Sequence, residues 1–210
     1  MINEEKIKES ISKALEDKGS RKFIQSVEMA VNFKNLDMSK QENRLNLEVL
    51  LPKGRGKKIN IVVFADGNVA ADAKAAGADF VIGSADMAKY KKSEIKKLAK
   101  NSEFFAQPQL MVAVGKNFGQ LLGGRGKVPK PLVGNVANVI KNARDSIKVR
   151  SRGKFLPVVH CAIGTEQMSP DDLTENAKAV LNAIKNKIGG DSNIKSVVFK
   201  LSMGKPIKLE

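Results

Sequence analysis

Apolar residues recur along the chain with two different periods. In residues 3–18 they stand four apart between charged side chains, which predicts an amphipathic helix. In residues 27–33 and 45–51 they alternate with polar or small residues, which predicts two half-buried strands. Residues 51–58 then bring two glycines, a proline and four basic side chains together, and this composition predicts a linker or hinge.

Beyond this linker the pattern predicts strands and helices in alternation. Residues 61–64 form a continuous apolar run, which is typical of a strand buried on both faces. A helix is predicted from about Asn68 to Ala76, and further short strands and helices follow as far as Arg144. Together these elements predict a compact α/β unit.

The C-terminal part carries the clearest helix signal. Residues 146–163 are predicted as extended chain with a turn at residues 152–154. Ser169 then stands as a cap before Pro170, and an apolar stripe runs from residue 173 to the glycine pair that begins at Gly189. A closing strand alternates through residues 197–203.

These segments predict two domains in an α/β fold. Residues 1–56 and 155–210 each offer an apolar sheet face with too little chain to cover it, so we expect them to form one discontinuous α+β sandwich domain that carries both termini. Residues 57–154 are predicted to be an inserted Rossmann-like α/β domain. Glycines and basic residues at both crossings predict hinge motion between the two domains.

The net charge of the chain gives information about its binding partner, which the hydrophobic pattern does not. With 37 Lys and Arg against 22 Asp and Glu, the formal net charge is +15, which favours a nucleic-acid partner over a basic surface kept for solubility alone. Residues 59–154 hold 17 basic and 7 acidic side chains, whereas the flanking segments are nearly balanced. A single Cys excludes an internal disulfide, and one His beside it cannot form a zinc site, so no cofactor is predicted. No apolar run is long enough for a membrane span, and we expect a cytosolic protein.

Motifs for catalysis are absent from the sequence. It contains no phosphate-binding loop of the P-loop type and no nucleophile elbow, and the first buried strand of the inserted segment lacks a glycine fingerprint for dinucleotides. A nucleotide- or phosphate-binding enzyme built on that segment stays as the alternative. His160 and Cys161 are predicted on opposite faces of a strand, so they do not suggest a nucleophile and base. With no Trp and one Tyr, recognition of RNA through shape, phosphates and 2′-hydroxyls is favoured over base stacking.

Five separated motifs are shared with a known family. They are Lys22-Phe23 with Ser26-Val27-Glu28, Leu51-Pro52-Lys53-Gly54-Arg55-Gly56-Lys57, Ala75-Ala76-Gly77-Ala78-Asp79, Leu122-Gly123-Gly124-Arg125-Gly126-Lys127-Val128-Pro129, and Ser202-Met203-Gly204. In this order they resemble the large-subunit ribosomal protein of the L-one stalk, in its archaeal form, and the resemblance covers nearly the whole chain.

The resemblance implies a two-domain protein without catalytic activity. It implies binding to large-subunit ribosomal RNA at the mobile stalk near the tRNA exit site, with exit-site tRNA as a further partner. It also implies translational repression through a similar structure in the protein's own mRNA. The expected protein is cytoplasmic and ribosome-associated, does not enter a membrane, and is a monomer when free.

The resemblance also implies an RNA-binding surface that lies mainly on the discontinuous domain. Hydroxyl and carboxylate groups there can bind a 2′-hydroxyl, and Gly204 allows close backbone approach. The residues that it assigns to RNA binding are Lys22, Phe23, Ser26, Glu28, Arg44, Lys154, His160, Gly164, Thr165, Ser202, Met203 and Gly204.

Overall fold

A computed structural model describes residues 3–151 and 156–209. Its backbone contacts divide the chain into two compact units, which we call the terminal unit (residues 1–57 and 145–210) and the inserted unit (residues 58–144). Along the chain the elements are α1 (Glu4–Ala14), β1 (Ser26–Phe33), β2 (Asn46–Leu50), β3 (Asn60–Phe64), α2 (Gly67–Ala75), β4 (Phe80–Ile82), α3 (Ser84–Met87), α4 (Lys92–Leu98), β5 (Ser102–Ala106), α5 (Met111–Gly123), β6 (Lys130–Pro131), α6 (Val136–Asp145), β7 (Ser146–Arg150), β8 (Val158–Thr165), α7 (Pro170–Ile188), β9 (Ile194–Leu201) and β10 (Ile207–Lys208). This mixed α/β architecture confirms the predicted fold class.

The terminal unit is built on an antiparallel sheet with the strand order β10-β9-β1-β8. Burial alternates along β1, so that Val27, Met29 and Val31 face a core shared with α1 and α7 while Glu28 and Ala30 face outward. A separate antiparallel pair, β2 with β7, contributes Val49 and Val149 to the same core.

Helix α7 shows how local sequence signals position this core. The Ser169 hydroxyl accepts a hydrogen bond from the Asp172 amide at 3.1 Å, Pro170 takes the first helical position, and Gly189 ends the helix in the left-handed region at φ 78°. Between these ends the apolar stripe predicted from the sequence is buried against the sheet.

The inserted unit is a parallel sheet with the order β4-β3-β5-β6. Every residue of β5 is buried, and separate apolar clusters cover the two faces of the sheet. On one face the Phe64 ring stacks on Phe104 and Phe118, with centroids 6.2 and 6.0 Å apart. A parallel sheet with apolar cores on both faces is the doubly wound arrangement that the alternating pattern predicts.

The second boundary between the units differs from the predicted one. We expected the inserted domain to continue to residue 154, but β7 pairs with β2 through all five of its residues, from Ser146 opposite Leu50 to Arg150 opposite Asn46. The ladder satisfies the backbone groups of β7 within the terminal unit, and the boundary therefore lies between residues 144 and 145.

This correction also changes the charge partition. With the observed boundary the inserted unit holds 14 basic and 6 acidic residues, and the remainder of the chain holds 23 and 16. The net charges are +8 and +7, so the surplus is shared between the units. The expectation of a nearly neutral terminal domain was wrong, because residues 145–154, with four basic residues and one acidic residue, belong to the terminal unit.

The first connection is anchored to the terminal unit by a buried amide. Asn176 of α7 is fully buried; its Oδ1 accepts from the Lys53 amide at 3.0 Å, and its Nδ2 donates to the carbonyls of Gly54 and Ile163 at 2.9 and 2.8 Å. Gly54 has φ +68°, which a glycine adopts without strain. The start of the predicted hinge segment is therefore held against α7 and β8.

Candidate nucleic-acid interface

The outward face of the terminal sheet carries small and polar side chains. Glu28 of β1 lies between Ala162 of β8 and Lys200 of β9, and in the next row Ala30 lies opposite His160. His160 is exposed while Cys161 is buried on the other face, as the alternation predicts. This outward face therefore alternates the small alanine side chains with Glu28, His160 and Lys200.

Residues 202–204 fold over the end of β1 and form what we call the Ser-Met-Gly turn. The Ser202 amide donates to the Ser26 carbonyl at 3.1 Å, and the Ser202 hydroxyl donates to Glu28 Oε1 at 3.2 Å. The Gly204 amide closes the turn on the Leu201 carbonyl at 3.0 Å. A Cβ atom on Gly204 would lie 3.0 Å from the Leu201 Cβ, so the turn is too tight for a larger residue without a shift.

Three apolar side chains beside this turn are exposed in the free protein. Met203 is 61% exposed, Phe23 53% and Ile24 55%. They lie on segments joined by Gln25, whose Oε1 accepts from the Met203 amide at 3.1 Å. Grouped exposed apolar side chains mark interaction surfaces. We call Phe23, Ser26, Glu28, Ser202, Met203 and Gly204 the sheet-end site; Lys22, also exposed, precedes it.

Two of the predicted RNA-binding residues are buried instead of exposed. A Cβ atom on Gly164 would lie 2.5 Å from Leu173 Cδ2 and 2.7 Å from Met168 Sδ, so this glycine permits the close approach of β8 and α7. Thr165 is 3% exposed, and its hydroxyl has no hydrogen-bond partner among the described residues. In the free protein both residues therefore pack within the terminal unit, and their contact with RNA stays a prediction.

A β-bulge explains this inward turn. Val27 pairs with Gly164, but the next residue of β1, Glu28, pairs with Ala162, so Ile163 is an extra residue in β8. Strict alternation would place residue 164 outward with residues 160 and 162. The bulge shifts the parity, and Gly164 faces the core.

Arg44 is not brought to the sheet-end site. Arg44 donates from Nε and Nη2 to the carbonyls of Met38 and Ser39, each at 3.2 Å. The carbonyl of the next residue, Leu45, accepts a hydrogen bond from the Ser151 amide, and Ser151 forms a β-bridge with Val159. Val159 pairs with Val31, near the far end of β1. That end is about five residues, or roughly 17 Å, from Ser26. Lys154 lies outside the described residues.

Sequence reasoning missed Gln25 and Glu166, which lie directly beneath the site. They are 1% and 5% exposed. Glu166 Oε1 accepts from the Gln25 amide at 3.1 Å, and Glu166 Oε2 accepts from Gln25 Nε2 at 3.3 Å. Gln25 continues the inward register of Val27 and Met29, and this parity was the signal that could have found it.

The inserted unit offers little to the alternative of a nucleotide site. In a doubly wound sheet, phosphates bind beyond the carboxyl ends of the strands. There Asp66 Oδ1 accepts from the Ser84 amide at 2.8 Å, and this hydrogen bond holds the pKa of Asp66 below its usual value. The Ser84 amide, which could otherwise donate to a bound anion, therefore already donates to the carboxylate of Asp66. The described residues also contain no group of three or more acidic, His or Cys side chains that could hold a metal ion.

Comparison with known proteins decides the family. The model of the ribosomal protein L1p/L10e family matches residues 10–205. The chain belongs to this family. The large ribosomal subunit protein uL1 of Thermoplasma acidophilum is 40% identical over 215 residues, which cover 100% of this chain and 98% of the relative. The corresponding proteins of Pyrococcus horikoshii and Thermococcus kodakarensis are 41% and 42% identical over 216 residues, covering 100% of this chain and 97% and 99% of theirs.

Membership of the L1p/L10e family confirms the resemblance drawn from the five motifs. It makes the protein a ribosomal protein and not an enzyme. Within residues 3–151 and 156–209, no helix combines the length and apolar character needed to cross a membrane.

Proposed function

We propose that the protein is a structural constituent of the large ribosomal subunit and binds large-subunit ribosomal RNA through the sheet-end site. The observation that carries the proposal is the exposure of Phe23 and Met203 beside the hydrogen-bonded pair of Glu28 and Ser202. The named relatives are proteins of the large subunit, and the chain aligns with them over its full length.

The chemistry of the site favours the sugar edge of RNA over its phosphates. Glu28 would repel a phosphate, but its carboxylate can accept a hydrogen bond from a ribose 2′-hydroxyl. The Ser202 hydroxyl donates to Glu28 Oε1 and keeps lone pairs free to accept another hydrogen bond. A ribose placed against this pair would have Phe23 and Met203 beside it as apolar contacts. DNA lacks the hydroxyl that the pair would bind.

Long-range attraction comes from basic residues on both units. On the inserted unit a shallow groove between α4 and α5 is lined by Lys92, Lys96 and Arg125, and Arg125 Nη1 donates to the Lys96 carbonyl at 2.7 Å. Such groups attract phosphates without reading sequence. We assign to them the rate of association and the salt dependence, and to the sheet-end site the selection of the RNA.

The finer functions are those that the resemblance implies, and we assign them to the same site. A messenger that presents a similar RNA structure would compete for the sheet-end site, so the protein would repress translation of its own mRNA. The stalk location would bring the protein near exit-site tRNA. A net charge of +15 disfavours self-association, which fits a monomer when free, and the protein would be cytoplasmic and ribosome-associated.

Direct binding tests the proposal. Overlapping transcripts of large-subunit ribosomal RNA are titrated with the wild-type protein, with Phe23→Ala, and with Val112→Ala as a matched control, because Val112 is a 68% exposed apolar residue of the inserted unit. We expect one transcript to bind well above the others and its DNA version to bind weakly. Only Phe23→Ala should weaken that binding; equal affinity for all transcripts and variants would overturn the proposal.

Repression is tested separately by translation in vitro. The protein is added to a reaction that contains its own mRNA and an unrelated mRNA. We expect loss of its own product alone, and relief of that loss by Met203→Ala. Equal inhibition of both products would contradict a specific regulatory site.

A further inference from the structure

Glu166 is a buried carboxylate held by N–H groups. It directly follows β8 and is 5% exposed. The carboxylate oxygens of Glu166 accept hydrogen bonds from the backbone amide of Gln25 at 3.1 Å, from the side-chain Nε2 of Gln25 at 3.3 Å and from the backbone amide of Gly19 at 3.4 Å. The backbone amide of Glu166 donates to the backbone carbonyl of Gln25 at 3.0 Å. Among the described residues its carboxylate has no ion-pair partner.

The Glu166 carboxylate fixes which way the Gln25 side chain points. An ionised carboxylate only accepts hydrogen bonds, so the NH₂ group of Gln25 must face it. The Gln25 oxygen then faces the opposite direction, where it accepts from the Met203 amide at 3.1 Å. If the side-chain amide group of Gln25 were rotated by half a turn, its NH₂ group would face the backbone N–H of Met203, and two donors would oppose each other.

One carboxylate thereby ties three segments together. It holds Gly19 at the start of the segment that exposes Lys22 and Phe23, it holds Gln25 at the start of β1, and through Gln25 it holds the Ser-Met-Gly turn. Burying a carboxylate is costly, and an apolar side chain would fill the same space at a lower cost. The carboxylate adds direction, because only an acceptor can hold several N–H groups in one arrangement.

We infer that Glu166 is a positioning residue for RNA binding, which acts through Gln25 to hold Met203 and the residues 19–24 in the arrangement that RNA contacts. This inference rests on the proposed function of the sheet-end site. It assigns an RNA-binding effect to a residue that RNA does not touch.

The first test is Glu166→Gln in the full chain. An amide at position 166 offers one acceptor oxygen and turns a donor toward the N–H groups of Gln25 or Gly19. We expect the dissociation constant for the selected ribosomal RNA transcript to rise about tenfold or more. Met203 amide exchange should also become faster. Ile184→Val is the matched control, because it loosens the core of α7 far from the site. It should lower the melting temperature without changing either readout.

The second test exchanges the two side chains. The double variant Gln25→Glu with Glu166→Gln has the same net charge as the wild type and puts an acceptor-only group opposite both the Met203 amide and the new NH₂ group. That NH₂ group also faces the Gly19 amide, which loses its acceptor, because Gly19 and Gln25 Nε2 donate to the same oxygen of Glu166. We expect it to recover part of the affinity lost in Glu166→Gln, because the link to the Met203 amide is restored and the contact with Gly19 is not. No recovery, or equal affinity losses in Glu166→Gln and Ile184→Val at equal loss of melting temperature, would overturn the inference.

Met203→Ala separates this inference from the proposed function. If Met203→Ala alone leaves RNA affinity unchanged, the sheet-end site is not the RNA site, and both claims fail. If Met203→Ala weakens binding and Glu166→Gln does not, the site stands and the positioning role of Glu166 is wrong. If both weaken binding, we expect the loss from Glu166→Gln to be smaller in the Met203→Ala background, because the two act on one contact.

Discussion

Replacing Met203 by alanine tests whether recognition depends on the sheet-end site or on total charge. Complete burial of a Met side chain contributes about 1.5–3 kcal/mol. Since Met203 is 61% exposed in the free protein, about three-fifths of that contribution is still to be gained on binding. Met203→Ala should therefore cost about 1–2 kcal/mol, or about 5- to 30-fold in the dissociation constant.

Neutralising Lys96 and Lys97 should act differently. Both are exposed on α4, and neither belongs to the sheet-end site. A lysine that meets a phosphate contributes about 0.7–0.9 to the slope of log affinity against log salt. The double variant Lys96→Gln with Lys97→Gln should flatten that slope by at most about 1.8 and should lose less affinity than Met203→Ala at physiological salt.

Filter binding at four salt concentrations separates the two effects. Met203→Ala should give a line parallel to that of the wild type and displaced to weaker binding, because no phosphate contact is lost. The lysine variant should give a flatter line. Equal losses for both variants at every salt concentration would refute a specific site at the end of β1, as would a Met203→Ala line that coincides with the wild type.

Three further predictions concern stability and reactivity. Gly164→Ala should lower the free energy of unfolding in urea by about 1–3 kcal/mol, because its Cβ would meet Leu173 Cδ2 at 2.5 Å; unchanged stability would contradict the close packing. Thr165→Val should raise the free energy of unfolding by about 1 kcal/mol by removing an unpaired buried hydroxyl, and it should leave RNA affinity unchanged, whereas weaker RNA binding would place Thr165 at the interface. Burial raises the pKa of Cys161 from 9.0 to about 12, so alkylation of the thiol at pH 8 should require unfolding, and rapid alkylation of the native protein would contradict this. The free energy of unfolding should also fall as the pH rises from 9 to 12, because only the unfolded state loses the thiol proton in that range.

Local signals in the sequence predicted most of the fold. The cap at Ser169, the glycine stop at Gly189 and the alternation in β1 each depend on neighbours within a few residues, and each is confirmed. The continuous apolar run of β3 likewise indicated a parallel sheet that is buried on both faces.

The partner of β7 could not be found in the same way. Its residues alternate correctly, with Ile147 and Val149 buried, and the extended chain was predicted. Its partner, β2, lies almost a hundred residues earlier, beyond an entire folded unit. No local pattern records such a pairing, and the exposed Lys148 and Arg150 matched the basic character of the inserted segment instead.

The sequence predicted the surface residues of the candidate site but not the buried residues that hold them in place. The motifs selected Ser26, Glu28 and the Ser-Met-Gly turn, and the structure brings them together. The β-bulge at Ile163 reverses the parity of Gly164, and a bulge follows from strand pairing, which one strand's sequence does not reveal. Gln25 and Glu166 are ordinary polar residues in sequence, and only their mutual burial shows what they do.

The pairing of β2 with β7 makes the inserted unit, in topological terms, the loop of a β-hairpin. Leu50 lies opposite Ser146, and the Leu51 amide donates to the Asp145 carbonyl at 3.1 Å, so the chain leaves and re-enters the terminal unit at adjacent points. Paired residues of antiparallel strands lie about 5 Å apart, a gap that two turn residues can close. The terminal unit therefore does not need the inserted unit to bring its own strands together, and the insertion can change in length or sequence without altering the register of β2 with β7.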